Sequence, residues 1–316
     1  MLVFVVRRLA VVAPILLVVG AVVFGLMHLA PGDPAAVLLG SDATPEQVAA
    51  LRDRLGLNDP LPVQFVRWFS GVLRLDFGTS LFIGKPVGAA LLDRAQPTVL
   101  LTLYALTLSV ALGVPAGILA AVRPGSLLDR GLMVVAVSGA ALPSFFISIL
   151  LILLFAVAWR WLPSGGFTEF THDPVEHFRS MLMPTVALGF SSAGILARLV
   201  RATMLEVLRE DFIRTAQSKG LSDRAVIGHH ALRNALIPTV TMIGYSLAGL
   251  LGGAVVTETV FNIPGMGRLV VQSIARRDLP VIQGAVMVTA AVYLLSNLCV
   301  DVLYAYLDPR VRHGGE

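Results

Sequence analysis

Three stretches of this chain gather side chains that could do chemistry. His172-Asp173-Pro174-Val175-Glu176-His177 brings metal-ligating types together. It holds no i, i+4 histidine pair and reads as a solvated loop rather than a metal site. Gly78-Thr79-Ser80-Leu81-Phe82-Ile83-Gly84-Lys85-Pro86 imitates a phosphate-binding loop. The motif, however, demands glycine where Thr79 stands and Ser or Thr where Pro86 stands. Asp301 lies in an apolar run, and its distance from Arg310 reads as a helix-end ion pair rather than a transport role. No serine has a partnered histidine and no aspartates pair within the apolar runs, so the sequence offers no catalytic, cofactor-binding or metal residues. What remains is a polar run, Glu210 to Pro238 (EDFIRTAQSKGLSDRAVIGHHALRNALIP), in a chain otherwise rich in oil-soluble residues.

The elements that must position that run are membrane helices. Of 316 residues 56% are hydrophobic and 14% charged, against about a quarter charged in a soluble domain. Mean hydropathy is +0.81. The one cysteine, Cys299, excludes a disulfide framework within the chain and reads as packing. A span needs roughly 20 apolar residues, and six stretches approach that: 9–30, 97–122, 131–159, 183–202, 236–257 and 281–307. The first imitates a signal peptide, but its core is too long and no small-x-small site closes it. Arginines set the orientation. Arg7, Arg8, Arg123, Arg130, the group from Arg198 to Arg233, and Arg310 and Arg312 all fall on one side of six spans. That side is the cytoplasm, with both termini inside. The net charge of +4 is therefore read as topology and not as a nucleic-acid surface. Domain organisation follows: 1–30 is the cytoplasmic end and first span, 31–96 an extracytoplasmic segment, 97–307 the core with a cytoplasmic loop at about 203–235, and 308–316 a tail.

The outer segment carries helix signals. Thr44-Pro45-Glu46-Gln47 predicts a capping box with proline at the first helical position, and Gly56 a stop. Val63 to Leu75 is amphipathic, and its Phe65, Trp68 and Phe69 suit either the membrane surface or packing onto a span. Gly113 with Gly117 and Gly249 with Gly253 allow close helix approach.

In the polar run, Leu205, Leu208, Phe212 and Ala216 recur at helical spacing, with Arg209, Glu210, Asp211, Arg214 and Gln217 on other faces. Gly220 can end that helix in the left-handed conformation, and Ser222 can cap a second one starting at Asp223 and running past His229, His230 and Arg233. Helix, glycine turn, helix suits DNA reading or docking to a cytoplasmic partner; tethering between two close spans makes entry into a major groove implausible.

Thr215-Ala216-Gln217-Ser218-Lys219-Gly220-Leu221-Ser222 followed by Leu232-Arg233-Asn234-Ala235-Leu236-Ile237-Pro238 resembles the "EAA" loop of binding-protein-dependent ABC importer permeases, in the dipeptide, oligopeptide and nickel branch. The resemblance covers nearly the whole chain. Ala30-Pro31-Gly32-Asp33-Pro34, Gly56-Leu57-Asn58-Asp59-Pro60-Leu61-Pro62, Glu258 to Gly267 (ETVFNIPGMG) and Leu307-Asp308-Pro309-Arg310 also look like that branch, and like its "B" subunit. Arg214 departs from the superfamily's glutamate and Arg233 from its proline, departures typical of the peptide branch.

The resemblance implies an all-α, six-span, type I importer permease in a prokaryotic inner membrane. It would pair with a homologous second permease, two cytoplasmic ATPases carrying ATP and Mg, and an extracytoplasmic solute-binding protein, with lipid around it. In such a family the first short helix of the inside loop is the coupling helix. Asp211, Arg214, Thr215 and Lys219 would then meet the ATPase with polar contacts, Phe212, Ala216 and Leu221 would seat it, and Gly220 would set the turn. In the outer loop, Pro264, Gly265 and Gly267 suit a re-entrant turn. Glu258, Phe261, Asn262, Pro264 and Gly265 would line the outer mouth or touch the binding protein; a plain structural turn is the equal alternative. Peptides lead as cargo, with nickel chelates, glutathione, opines and glycosides open. An ion-coupled transporter acting alone is the rival of another class, against which the shortage of charge within the spans argues.

Overall fold

The computed structural model describes residues 2–29, 33–39, 43–222 and 225–307. The expected second-helix start at Asp223 and the Asp301–Arg310 pair therefore involve residues outside those described. Helices α1 (Leu2–Leu29), α2 (Pro34–Leu39), α3 (Pro45–Leu55), α4 (Leu61–Leu73) and α5 (Val87–Val122) come first. There follow α6 (Leu127–Ala141), α7 (Ser144–Leu151) with a π-helical continuation over Ile152–Ala158, α8 (Pro174–Val207) and α9 (Asp211–Ser218). A π-helical turn at Val226–Ala231 leads into α10 (Leu232–Val260), and α11 (Met266–Arg276) and α12 (Leu279–Leu307) close the order.

Among the described residues four helices can by length and composition cross a membrane: Val87–Val122, Pro174–Val207, Pro238–Val260 and Leu279–Val302. The expected third span, 131–159, is not one straight helix. It is two helices, Leu127–Ala141 and Ser144–Ala158, bent by 105°, which pass the same test only when taken together. The cause is local. Pro143 has no N–H to donate and pushes Leu142 out of the helical region, to φ −82°, ψ 129°. The first expected span, 9–30, largely coincides with a 28-residue helix that contains Pro14 and whose apolar part, Ala10–Leu26, is shorter than the other four. Among the described residues four spans, or five with the bent pair, meet the test of length and composition, and a sixth is not shown.

The chain divides into two compact units. The larger contains residues 95–268 and the end of α12. Here α8 is the central post, with α6, α7 and α10 packed on it. Glycines let backbones touch. A Cβ on Gly113 would lie 2.7 Å from the Ala193 carbonyl of α8, and one on Gly117 2.6 Å from that of Ala197. Gly194 of α8 in turn meets the Ala136 carbonyl of α6. Of the second expected glycine pair only Gly253 approaches a neighbour, the Leu188 side chain; Gly249 has none within 4 Å. Two apolar cores result: one around Leu101, Met181, Leu188, Leu250 and Phe261, the other around Leu196, Val200, Met204, Ile213 and Ala235.

The smaller unit contains residues 6–94 and 269–294. Its α3 starts with the predicted capping box: the Gln47 amide donates to Thr44 Oγ1, the Thr44 amide to Gln47 Oε1, and Gly56 closes it at φ +66°. The aromatic face of α4 packs on α1. Phe65 and Trp68 lie 5.5 and 5.8 Å from Phe24, and a Cβ on Gly20 would meet Phe69. The phosphate-loop imitation forms a real anion cradle, filled by the chain's own carboxylate. The Ser80 hydroxyl and the Leu81 and Phe82 amides donate to Asp278.

Candidate functional site: the α9 loop and the α10–α11 turn

The polar run is not one amphipathic helix. α8 stops at Val207, and the chain turns through Leu208 and Arg209 to an extended Glu210 (φ −67°, ψ 148°) before α9 begins. No glycine or proline marks this break, so periodicity alone carried the expected helix straight through it. The end of α9 is as expected. Gly220 sits at φ +78° and its amide donates to the Gln217 carbonyl, while the Leu221 amide donates to that of Ala216. Those two bonds are a Schellman closure, which a β-carbon at the left-handed position would strain. The second helix merges through the π-helical turn into α10 and is not separate.

The two faces of α9 differ sharply. Ile213 (1% exposed) and Ala216 (6%) are buried in the core formed by Val200, Met204, Val226, Ala231 and Ala235. Asp211, Phe212, Arg214, Thr215, Lys219, Gly220 and Leu221 are exposed. Ala216 is therefore corrected from docking seat to anchor, and Ile213, which the sequence reading missed, is its companion; their i, i+3 spacing was the available signal. Phe212 and Leu221, each 42% exposed, remain as apolar contacts free to meet another chain. An open depression lined by Ala202, Leu205, Glu206, Arg209, Glu210 and Asp211 adjoins the start of α9.

At the far end of α10 the ETVFNIPGMG stretch is built around a carboxylate. Glu258 belongs to the last turn of α10 and is fully buried. Thr98 donates its hydroxyl to Glu258 Oε1 (2.6 Å), and the Arg268 amide donates to Oε2 (3.0 Å). Thr98 Oγ1 also accepts from the Met266 amide (2.9 Å). A Cβ on Gly265 would collide with the Glu258 carboxylate, which explains glycine there. Phe261 is fully buried too, and its carbonyl accepts from the Gly166 amide at 2.8 Å. Of the residues expected at an outer mouth, Glu258, Phe261 and Gly265 thus face inward and Pro264 is half-buried. Asn262 alone among them is exposed, in the left-handed region at φ +55°, which asparagine tolerates.

The histidine-bearing stretch is also corrected. His172 is exposed, but His177 is fully buried in the first turn of α8. His177 Nδ1 lies 2.6 Å from the Thr168 carbonyl, so it is the donor, and Nε2 accepts from the Tyr104 hydroxyl at 3.0 Å. Phe167, Phe170 and Phe178 surround the ring. This is a packed polar plug rather than a solvated loop. No group of three or more His, Cys, Asp or Glu side chains among the described residues could hold a metal ion.

Sequence relatives place this architecture. A probable peptide ABC transporter permease of Sinorhizobium fredii is 47% identical over 98% of this chain and 99% of its own length. A glutathione transport system permease of Salmonella paratyphi A is 42% identical over 99% of this chain and 100% of its own. A solved chain of the MetNI methionine ABC transporter, in an inward-facing conformation, shares the fold with a TM-score of 0.57 at 19% identity, over 69% of this chain and 96% of that one. Residues 1–102 match the N-terminal family of binding-protein-dependent transport system membrane components. Since residues 113–313 match the family described as binding-protein-dependent transport system inner membrane component, this chain belongs to that family, the multi-pass membrane permeases of ABC importers.

Proposed function

We propose that the chain forms half of the translocation pathway of a peptide importer and that α9 is the knob by which partner ATPases drive it. The observation that carries this reading is the two-faced α9. Its inner side is built into the core shared by α8 and α10, while Asp211, Phe212, Arg214, Thr215, Lys219 and Leu221 stand out from it. A short helix fixed in that way can transmit a push as rigid-body motion. ATP and Mg belong to the two cassette subunits, a homologous permease completes the pathway, and an extracytoplasmic binding protein delivers cargo, with Asn262 as its candidate contact on this chain. Six spans with both termini in the cytoplasm complete the topology, the bent α6–α7 pair counting as one and α1 as another. Peptides are the cargo class that relatives named for peptide and glutathione transport support.

The test is Gly220→Val in a complex of both permeases, both ATPases and the binding protein, reconstituted in lipid. A β-branched residue at φ +78° must reshape the Schellman closure. The expected result is a complex that still assembles but whose binding-protein-stimulated ATP hydrolysis falls; stimulation equal to wild type overturns the coupling role.

A further inference from the structure

α9 is joined to α5, α8 and α10 by one apolar core, with Ala121, Val200, Met204, Ala231 and Ala235 closing on Ile213 and Ala216. α6 contributes no residue to that core. At its start, however, stands a polar junction with α8. Arg201 of α8, one turn before Met204, reaches Asp129 of α6 with both arms of its guanidinium: Nε donates to Oδ1 at 2.6 Å and Nη2 to Oδ2 at 2.8 Å. The Gly125 amide adds a third bond to Oδ2 at 2.8 Å, and the Asp129 amide donates to the capping hydroxyl of Ser126. Asp129 is 3% exposed and the Arg201 side chain 29%, so the carboxylate is sheltered while the cation keeps partial contact with water.

Elsewhere on the α6–α8 seam small residues bring the backbones close. Gly194 lies on the Ala136 carbonyl, and a Cβ on Gly139 would stand 3.0 Å from the Phe190 carbonyl and 3.1 Å from its ring. Van der Waals contact of this kind is not directional. A planar two-bond fork fixes both distance and angle. It therefore adds a directional link at the end nearest α9.

We propose that Asp129 and Arg201 form a clasp that makes α6 follow α8 when α9 is driven, and that both are positioning residues for transport. This rests on the coupling role of α9 proposed above. Breaking the fork leaves the α9 core untouched, so the ATPases still have their knob, but movement reaches α6, and through it α7, with slip.

The experiment uses the same reconstituted complex and reads solute imported per ATP hydrolysed, alongside complex yield and melting temperature. Asp129→Asn keeps an acceptor for Gly125 and removes the charge; Arg201→Lys keeps the charge and removes the fork. Each is expected to lower import per ATP about fivefold or more, the scale of a single coupling free energy, with ATP hydrolysis retained. The double variant is expected to be no worse than either single, because the two residues act as one unit. Import per ATP unchanged in both singles overturns the clasp. A loss of yield or melting temperature with an unchanged ratio in the surviving complex also overturns it, since that marks a folding element only. Additive losses in the double variant overturn it as well. Stimulation by the binding protein undiminished in Gly220→Val would instead strike the α9 reading itself, and the two failures are thereby told apart.

Discussion

Replacing Glu258 by alanine tests the physical account of the α10–α11 turn most directly. The carboxylate is fully buried and accepts from the Thr98 hydroxyl and the Arg268 amide. Alanine leaves the Arg268 amide without that acceptor in a place water does not reach and takes one acceptor from the Thr98 hydroxyl, so the turn should lose at least about 1–3 kcal/mol. Because each 1.4 kcal/mol is about a factor of ten, even the low end raises the open fraction of the turn about fivefold. Hydrogen–deuterium exchange of a peptide covering residues 262–269, in the detergent-solubilised complex, reads this at the Met266 and Arg268 amides. Glu258→Gln retains one acceptor but turns an N–H donor toward another, so it should fall between alanine and wild type. Protection of those amides unchanged in the alanine variant would refute the carboxylate as the organiser of the turn.

Other outcomes follow from single contacts. Gly117→Val sets a branched side chain where even a Cβ would lie 2.6 Å from the Ala197 carbonyl and 2.7 Å from Val200 Cβ, so α5 and α8 must part; a cost of about 1–3 kcal/mol should appear as a lower melting temperature. His177→Ala removes the partner of both the Thr168 carbonyl and the Tyr104 hydroxyl and leaves a cavity among aromatic rings. It should cost more than Tyr104→Phe, which leaves only Nε2 unsatisfied, at about 1–3 kcal/mol. Protease sensitivity of the 159–173 segment and thermal melting check the order.

Signals confined to a few neighbouring residues were legible in the sequence. The capping box at Thr44 and the left-handed stops at Gly56 and Gly220 stand as read, because each depends on side-chain size and hydrogen bonding within a turn. The glycine approach of Gly113 and Gly117 was legible as well, although only the structure names α8 as the partner. What the sequence hid depends on what lies opposite. Glu258 looks like a loop carboxylate until Thr98, 160 residues earlier, is placed beside it. His177 looks solvated until Tyr104 and the Phe167, Phe170 and Phe178 rings close around it. On α9, spacing set Phe212 and Ala216 on one apolar face, yet rotation about the helix axis pairs Ile213 with Ala216 inside and leaves Phe212 exposed. The break at Leu208–Glu210 carries no punctuating residue, and the bend at Leu142–Pro143 falls at a proline inside an apolar run whose length alone set the expected span.

The π-helical turn at Val226–Ala231 has a geometric corollary. Such a turn holds one residue more than an α-helix needs for the same advance. Removing a single residue from it would let the ladder revert to i→i+4 bonding with the two sides still in phase, whereas removing one from the regular part of α10 would swing everything before it by about 100° around the axis. The azimuth at which α9 meets its surroundings is thus written in a residue count: the wide turn can absorb the loss of a residue, while the same loss further along the helix would misaim the knob and leave every one of its side chains in place.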